Sequence, residues 1–149
     1  MKSRTAIWFE TKISYEKTME DGLQKKVKEQ YVVDALSFTE AENAITEEMS
    51  SYISGTFDVT DIKKASVKEV FFSDDEKDDR WYKLKLEFIT IDEKTEKEKR
   101  SSVWYLMQAA SLPTAVKYIG EVMGKTMIDY VVSSVAETKI FDVFEHKAQ

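Results

Sequence analysis

The chain has 149 residues, with 22 Lys+Arg against 28 Asp+Glu and a net charge of -6. With 42% hydrophobic and 12% aromatic residues but only four Gly and one Pro, it reads as one globular domain, which excludes disordered, collagenous and low-complexity classes. It has no cysteine and one histidine, His146. Disulfides, thiolate catalysis and cysteine-ligated metals are therefore excluded.

No apolar run is long enough to span a membrane, and Met1-Lys2-Ser3-Arg4 leads into no apolar signal segment, so the expected location is cytoplasmic. Residues 6–16 alternate, with Ile7, Phe9, Ile13 and Tyr15 on one side and Glu10, Lys12 and Ser14 on the other. That period of two predicts a half-buried strand. Asp21-Gly22 supplies a cheap positive-φ turn, and the run carrying Val27, Tyr31 and Val33 completes a long hairpin. Ser37-Phe38-Thr39-Glu40 reads as a capping box, followed by Ala41, Ala44, Ile45, Met49 and Tyr52 at helical spacing. The helix is expected to end near Gly55. Residues 57–65 and 67–72 read as two further strands separated by the weak turn Ala65-Ser66. The second half predicts strands over residues 81–91 and 99–109, a helix capped by Ser111 with Pro113 in its first turn, and strands over 129–136 and 138–144.

The two halves are one pattern written twice, at an offset of 73 to 74 residues. Trp8 falls on Trp81, Phe9 on Tyr82, Ile13 on Leu86, Tyr31 on Tyr105, Ile45 on Ile119, Met49 on Met123 and Phe71 on Phe144. The expected fold is α+β: two ββαββ units forming an antiparallel sheet with two helices on one face. Residues 1–149 would then be a single domain of two pseudo-symmetric repeats (about 6–72 and 80–145), joined by the acidic turn Ser73-Asp74-Asp75-Glu76-Lys77-Asp78-Asp79-Arg80.

Read across that turn, the order becomes ββββα, which resembles the transcriptional-coactivator PC4 and plant Whirly fold. In topology alone, this resemblance implies single-stranded-DNA binding by paired units. Trp8-Phe9-Glu10-x-Lys12, the run from Val33 to Glu42, Ile53-Ser54-Gly55 with Val59-Thr60-Asp61-Ile62-Lys63, and Glu137-Thr138-Lys139-Ile140 with Asp142-Val143-Phe144 resemble an uncharacterised domain-of-unknown-function family. Its members are short Bacteroidetes and phage proteins. The likeness spans nearly the whole chain, implies a single cytoplasmic domain, and transfers no site.

Catalytic motifs are not evident. Gly124-Lys125-Thr126 lacks the glycine that a phosphate loop needs at position 119, where Ile stands, and it closes a helix instead of opening one; a C-cap at Gly124 is the expectation. The cluster Asp74, Asp75, Glu76, Asp78 and Asp79 lacks the glycine and terminal glutamate of a calcium loop and reads as a solvated turn. His146, near Asp142 and Glu145, reads as a surface residue, and Glu48 is the one carboxylate on a helix face that burial would perturb. Neither an enzyme nor a metal or cofactor is expected.

The remaining signal lies on the strands. Tyr82, Leu84, Leu86 and Phe88, with Val103, Tyr105 and Met107, align as the helix-facing set. Trp8, Trp81, Trp104 and Leu106 are left on the outer side with Lys12, Lys28, Lys83 and Lys85. Aromatic rings beside lysines suit single-stranded nucleic acid, because bases stack on any π-face while cations track the phosphates. Lys25, Lys26, Lys94, Lys97, Lys99 and Arg100 lie toward the hairpin tips, the second of which is interleaved with Glu93, Glu96 and Glu98. The acidic total does not oppose this, because residues 40–53 and 73–80 carry -4 and -3, which leaves +1 on the rest. The alternatives are that the tryptophan face is covered by a partner, as in a homodimer or protein-interaction module, or that a small ligand binds between the repeats.

Overall fold

The computed structural model describes residues 1–145. His146 lies outside them. The elements in chain order are β1 (Lys2–Thr5), β2 (Trp8–Thr18), β3 (Gln24–Asp34), α1 (Phe38–Ser50), β4 (Phe57–Lys64), β5 (Glu69–Phe72), β6 (Arg80–Ile91), β7 (Glu98–Ala109), α2 (Leu112–Gly124), β8 (Asp129–Glu137) and β9 (Ile140–Phe144). The α+β class and the predicted elements are observed. Strand β1 is an addition that alternation did not signal, and Ile7 lies exposed just before β2.

Local chemistry explains the element boundaries. At the first hairpin tip Gly22 adopts φ +83° and donates to the Met19 carbonyl at 2.9 Å, while Asp21 accepts from the Leu23 amide at 3.0 Å. The second tip has no glycine, so Glu96 takes the left-handed position at φ +57°, which disfavours an L side chain. Ser37 Oγ accepts from the Glu40 amide at 3.1 Å, and Ser111 Oγ accepts from the Thr114 amide at 3.3 Å, so both helices start as the capping pattern predicts. The end of α2 differs from expectation. Its C-cap is Lys125 in right-handed conformation, and Gly124 is simply the last helical residue. Likewise α1 stops at Ser50, several residues before Gly55.

The strands divide between two sheets, each in its own compact unit and each with one helix. Among the described residues the β2–β3 unit comprises Ala6–Ser66 and residues 139–145, and its sheet order is β4-β2-β3-β9. Ala41, Ile45 and Met49 of α1 pack on Phe9, Ile13, Tyr31 and Val33. The β6–β7 unit comprises Met1–Thr5 and Val67–Thr138, with sheet order β1-β5-β7-β6-β8. Ala115, Ile119 and Met123 of α2 pack on Tyr82, Leu84, Leu86 and Met107, joined by Phe71 from β5. Pairing is antiparallel except for β3 with β9 and β5 with β7, which are parallel.

The compact units therefore cut across the sequence repeats, since the last strand of each repeat sits in the other repeat's sheet. Connection length forces this. Strand β2 is antiparallel to both β3 and β4, so the position beside β3 that β9 fills runs parallel to β4. To occupy that position in its own repeat, β5 would need a crossover of about a dozen residues or more. Only residues 65–68 separate β4 from β5, and only 138–139 separate β8 from β9. Each end strand is too closely tethered to return to its own sheet.

The acidic connection is more than a solvated turn. Asp78 is 4% exposed, and its carboxylate accepts hydrogen bonds from Tyr118 OH on α2 at 2.6 Å and from Ser73 Oγ. The Tyr118 phenol is held above its ordinary value, chiefly by that hydrogen bond to Asp78.

Candidate functional site

The eight residues proposed from the sequence divide between the units: Trp8, Lys12 and Lys28 lie in the β2–β3 unit, and Trp81, Lys83, Lys85, Trp104 and Arg100 in the β6–β7 unit. Their side assignment follows the pleat. The helix-facing residues of β6 and β7 are Tyr82, Leu84, Leu86, Tyr105 and Met107, as the alternation requires, which leaves the tryptophans on the opposite side.

Accessibility separates the three tryptophans. Trp8 is 0% exposed and Trp81 2% exposed, the latter meeting Phe72 edge-on with ring centroids 5.6 Å apart. Neither offers a free ring face to a base as it stands. Trp104 is half-buried, with Lys85 Nζ 5.3 Å from its ring centroid. Lys85 and Trp104 are direct cross-strand partners, so the pleat itself produces this cation–π contact.

Lys83 stands one step along the same row, opposite Leu106. On the other flank Lys83 faces Ala136 and Lys85 faces Ser134 of β8, neighbours without charge. Arg100 is engaged differently. Its Nη1 lies 3.1 Å from Glu87 Oε2 and its Nε 3.3 Å from Glu98 Oε2, and these hydrogen bonds raise its pKa further. A guanidinium committed to two carboxylates is a weaker phosphate contact than its sequence position implied. In the β2–β3 unit, Lys12 and Lys28 are exposed opposite Gln30 and Ser14, and Lys63 pairs with Glu10 at 3.2 Å.

An aromatic group not singled out from the sequence lies in the β2–β3 unit. The ring centroids of Tyr31 and Phe144 are 5.5 Å apart, Tyr52 stacks on Phe144 at 6.4 Å, and Phe141, 57% exposed, lies 5.9 Å from Tyr31. Tyr31 OH donates to Glu29 at 3.1 Å, and burial followed by the Glu29 charge pushes its phenol upward. Asp142, in the same group, is raised by desolvation. The signal available in sequence was the double aromatic of β9, Phe141 and Phe144, flanking an acid.

Two open grooves lie at matching ends of the sheets. Ser14, Glu16, Lys26 and Asp58 line one of about 380 Å³, and Ile89, Glu96, Asp129 and Tyr130 line one of about 650 Å³. Among the described residues no group of three His, Asp or Glu side chains is placed to hold a metal ion, and no helix is long and apolar enough to cross a membrane.

The chain belongs to the family described as Domain of unknown function (DUF4494), whose profile matches residues 7–146. No curated protein and no solved structure matches it.

Proposed function

For this member of the family, we propose that the protein is a non-catalytic cytoplasmic binder of single-stranded nucleic acid that engages its ligand through the outer face of β6 and β7. The observation that carries the reading is the half-buried Trp104 with Lys85 Nζ 5.3 Å from its ring centroid and Lys83 in the next row. A base stacked on the accessible part of such a ring contributes about 1–3 kcal/mol without reading sequence. Lys83 and Lys85, whose β8 neighbours are uncharged, stand ready to meet the flanking phosphates.

The test is fluorescence titration of the protein with a thymidine oligonucleotide at low and moderate salt. Binding that weakens steeply with salt is expected, and Trp104→Ala should weaken it by about 5- to 150-fold. Lys85→Ala should lower both the affinity and the salt slope. No binding at micromolar protein and low salt overturns the proposal, as does unchanged binding by Trp104→Ala.

A protein partner is the second reading, favoured by the exposed Tyr52 and Phe141 of the β2–β3 unit. Glu29 and Asp142 beside them would repel phosphate, whereas aromatic rings rimmed by polar groups suit a protein contact.

A further inference from the structure

We propose that β8 is a self-association edge, at which a second copy of this chain adds its own β8 antiparallel and joins two five-stranded sheets into one. The four edge strands are β1 and β8 of one sheet and β4 and β9 of the other. Natural edges are blunted by charge, because an unpaired row of N–H and C=O groups otherwise templates another strand. Three of these edges are blunted in that way: β1 carries Lys2 and Arg4, β4 carries Asp58, Asp61, Lys63 and Lys64, and β9 carries Asp142 at its centre. Strand β8 is the exception. Its charges stand only at its ends, Asp129 and Glu137, and between them run Tyr130, Val131, Val132, Ser133, Ser134, Val135 and Ala136.

The comparison with β4 is internal, because β4 and β8 occupy equivalent places in the two repeats. Both carry an irregularity where they pair with the preceding hairpin, at Lys12/Ile13 for β4 and at Lys85/Leu86 for β8. The bulge is shared, so it does not distinguish the two edges; the charge does. Val131 is 39% exposed on the outer face.

The occupant follows from the strand's own symmetry. Tyr130, Val132 and Val135 pack on the core side, while Val131 and Ser134 face Glu87 and Lys85 on the outer side. A twofold axis perpendicular to the sheet keeps each side on its own side. One register then satisfies both sides of the bulge at Ser133: Tyr130 opposite the partner's Val135, Val131 opposite the partner's Ser134, and Asp129 opposite the partner's Ala136. No like charges are opposed. Self-pairing by one residue further would set Asp129 against Glu137 and core-facing residues against outer ones.

The register makes a charge-swap test possible, with sedimentation velocity of the full chain from about 1 to 100 µM as the readout. The wild type should show a concentration-dependent dimer. V131K/S134K puts lysine opposite lysine at two symmetric places and should weaken dimerisation by about tenfold or more. V131K/S134E puts opposite charges face to face in the same register and should dimerise at least as well as the wild type. Both variants change exposed positions only, and matching thermal melts at a concentration where the wild type is monomeric separate lost pairing from lost fold. A wild type that stays monomeric at 100 µM overturns the proposal. It is overturned equally if V131K/S134K dimerises like the wild type, or if V131K/S134E is as weak as V131K/S134K. No oligonucleotide enters the experiment, so its outcome is independent of the nucleic-acid reading.

Discussion

The exchange of end strands predicts that neither repeat folds alone. A cut between Glu76 and Lys77, both exposed, separates residues 1–76 from 77–149 without touching a strand. The first fragment then lacks β9 beside β3, and its β5, still paired with β1, has no β7 to join; the second lacks β5 beside β7. The loss can be estimated from the side chains that cross. Val70 and Phe71 are buried in the β6–β7 unit, and Ile140 and Val143 in the β2–β3 unit. At roughly 1.5–3 kcal/mol per buried side chain, each end strand contributes about 3–6 kcal/mol. Domains are stable by only about 5–15 kcal/mol in total, so each fragment forfeits an amount comparable to its whole margin. Circular dichroism and amide NMR of each fragment should show no cooperative melt and poor dispersion. Mixing should restore both, with a titration that saturates at one to one. A fragment that melts cooperatively on its own, or a pair that does not complement, would refute the argument that short connections force the exchange.

Other expectations follow from single contacts. Because Tyr118 donates to Asp78, its phenol should titrate above its ordinary value of 10.0 by ultraviolet absorbance, and Asp78→Asn should bring it back toward that value. The sign follows from the raised folded-state value: the hydrogen bond stabilises the fold fully below the ordinary tyrosine value and is lost as pH rises through the raised one. Ser37→Ala removes the acceptor for the Glu40 amide and should cost about 1 kcal/mol, read as a melting temperature lower by about 2–4 °C. Glu96→Gly relieves a left-handed side chain at the second hairpin tip and should raise stability by about 0.5–1 kcal/mol in a denaturant melt; a loss would show that the Glu96 backbone is not strained.

All the elements but β1 were legible in the amino-acid order, although both helices end differently from the expected positions. Alternation placed Phe9 and Ile13, and Tyr82, Leu84 and Leu86, on the side that meets the helices. Ser37 with Glu40 marked the start of α1, Ser111 with Pro113 marked the start of α2, and Asp21-Gly22 marked the first turn. The repeat paired Ile45 with Ile119, and both are fully buried at equivalent helix positions. These are properties of periods of two and of 3.6 residues, and they need no distant partner to be expressed.

Which sheet receives each end strand, and which outer-face residues remain open, needed distant partners. The pattern put Trp8, Trp81 and Trp104 on one side of their strands, but a pleat specifies direction and not what covers that direction. Two of the three rings proved buried and one accessible, so the candidate site contracted to Trp104, Lys83 and Lys85. Arg100 stood in the sequence among lysines and interleaved glutamates; that Glu87, thirteen positions away, also meets it across the hairpin came only with the fold. Asp78 looked like one acid of five in a solvated turn until Tyr118, forty positions away, reached its carboxylate. Composition and period determine what each segment can become, because those preferences act between residues a few positions apart. Burial and charge pairing are decided by contacts among residues far apart in the chain, and only the closed tertiary structure brings those residues together.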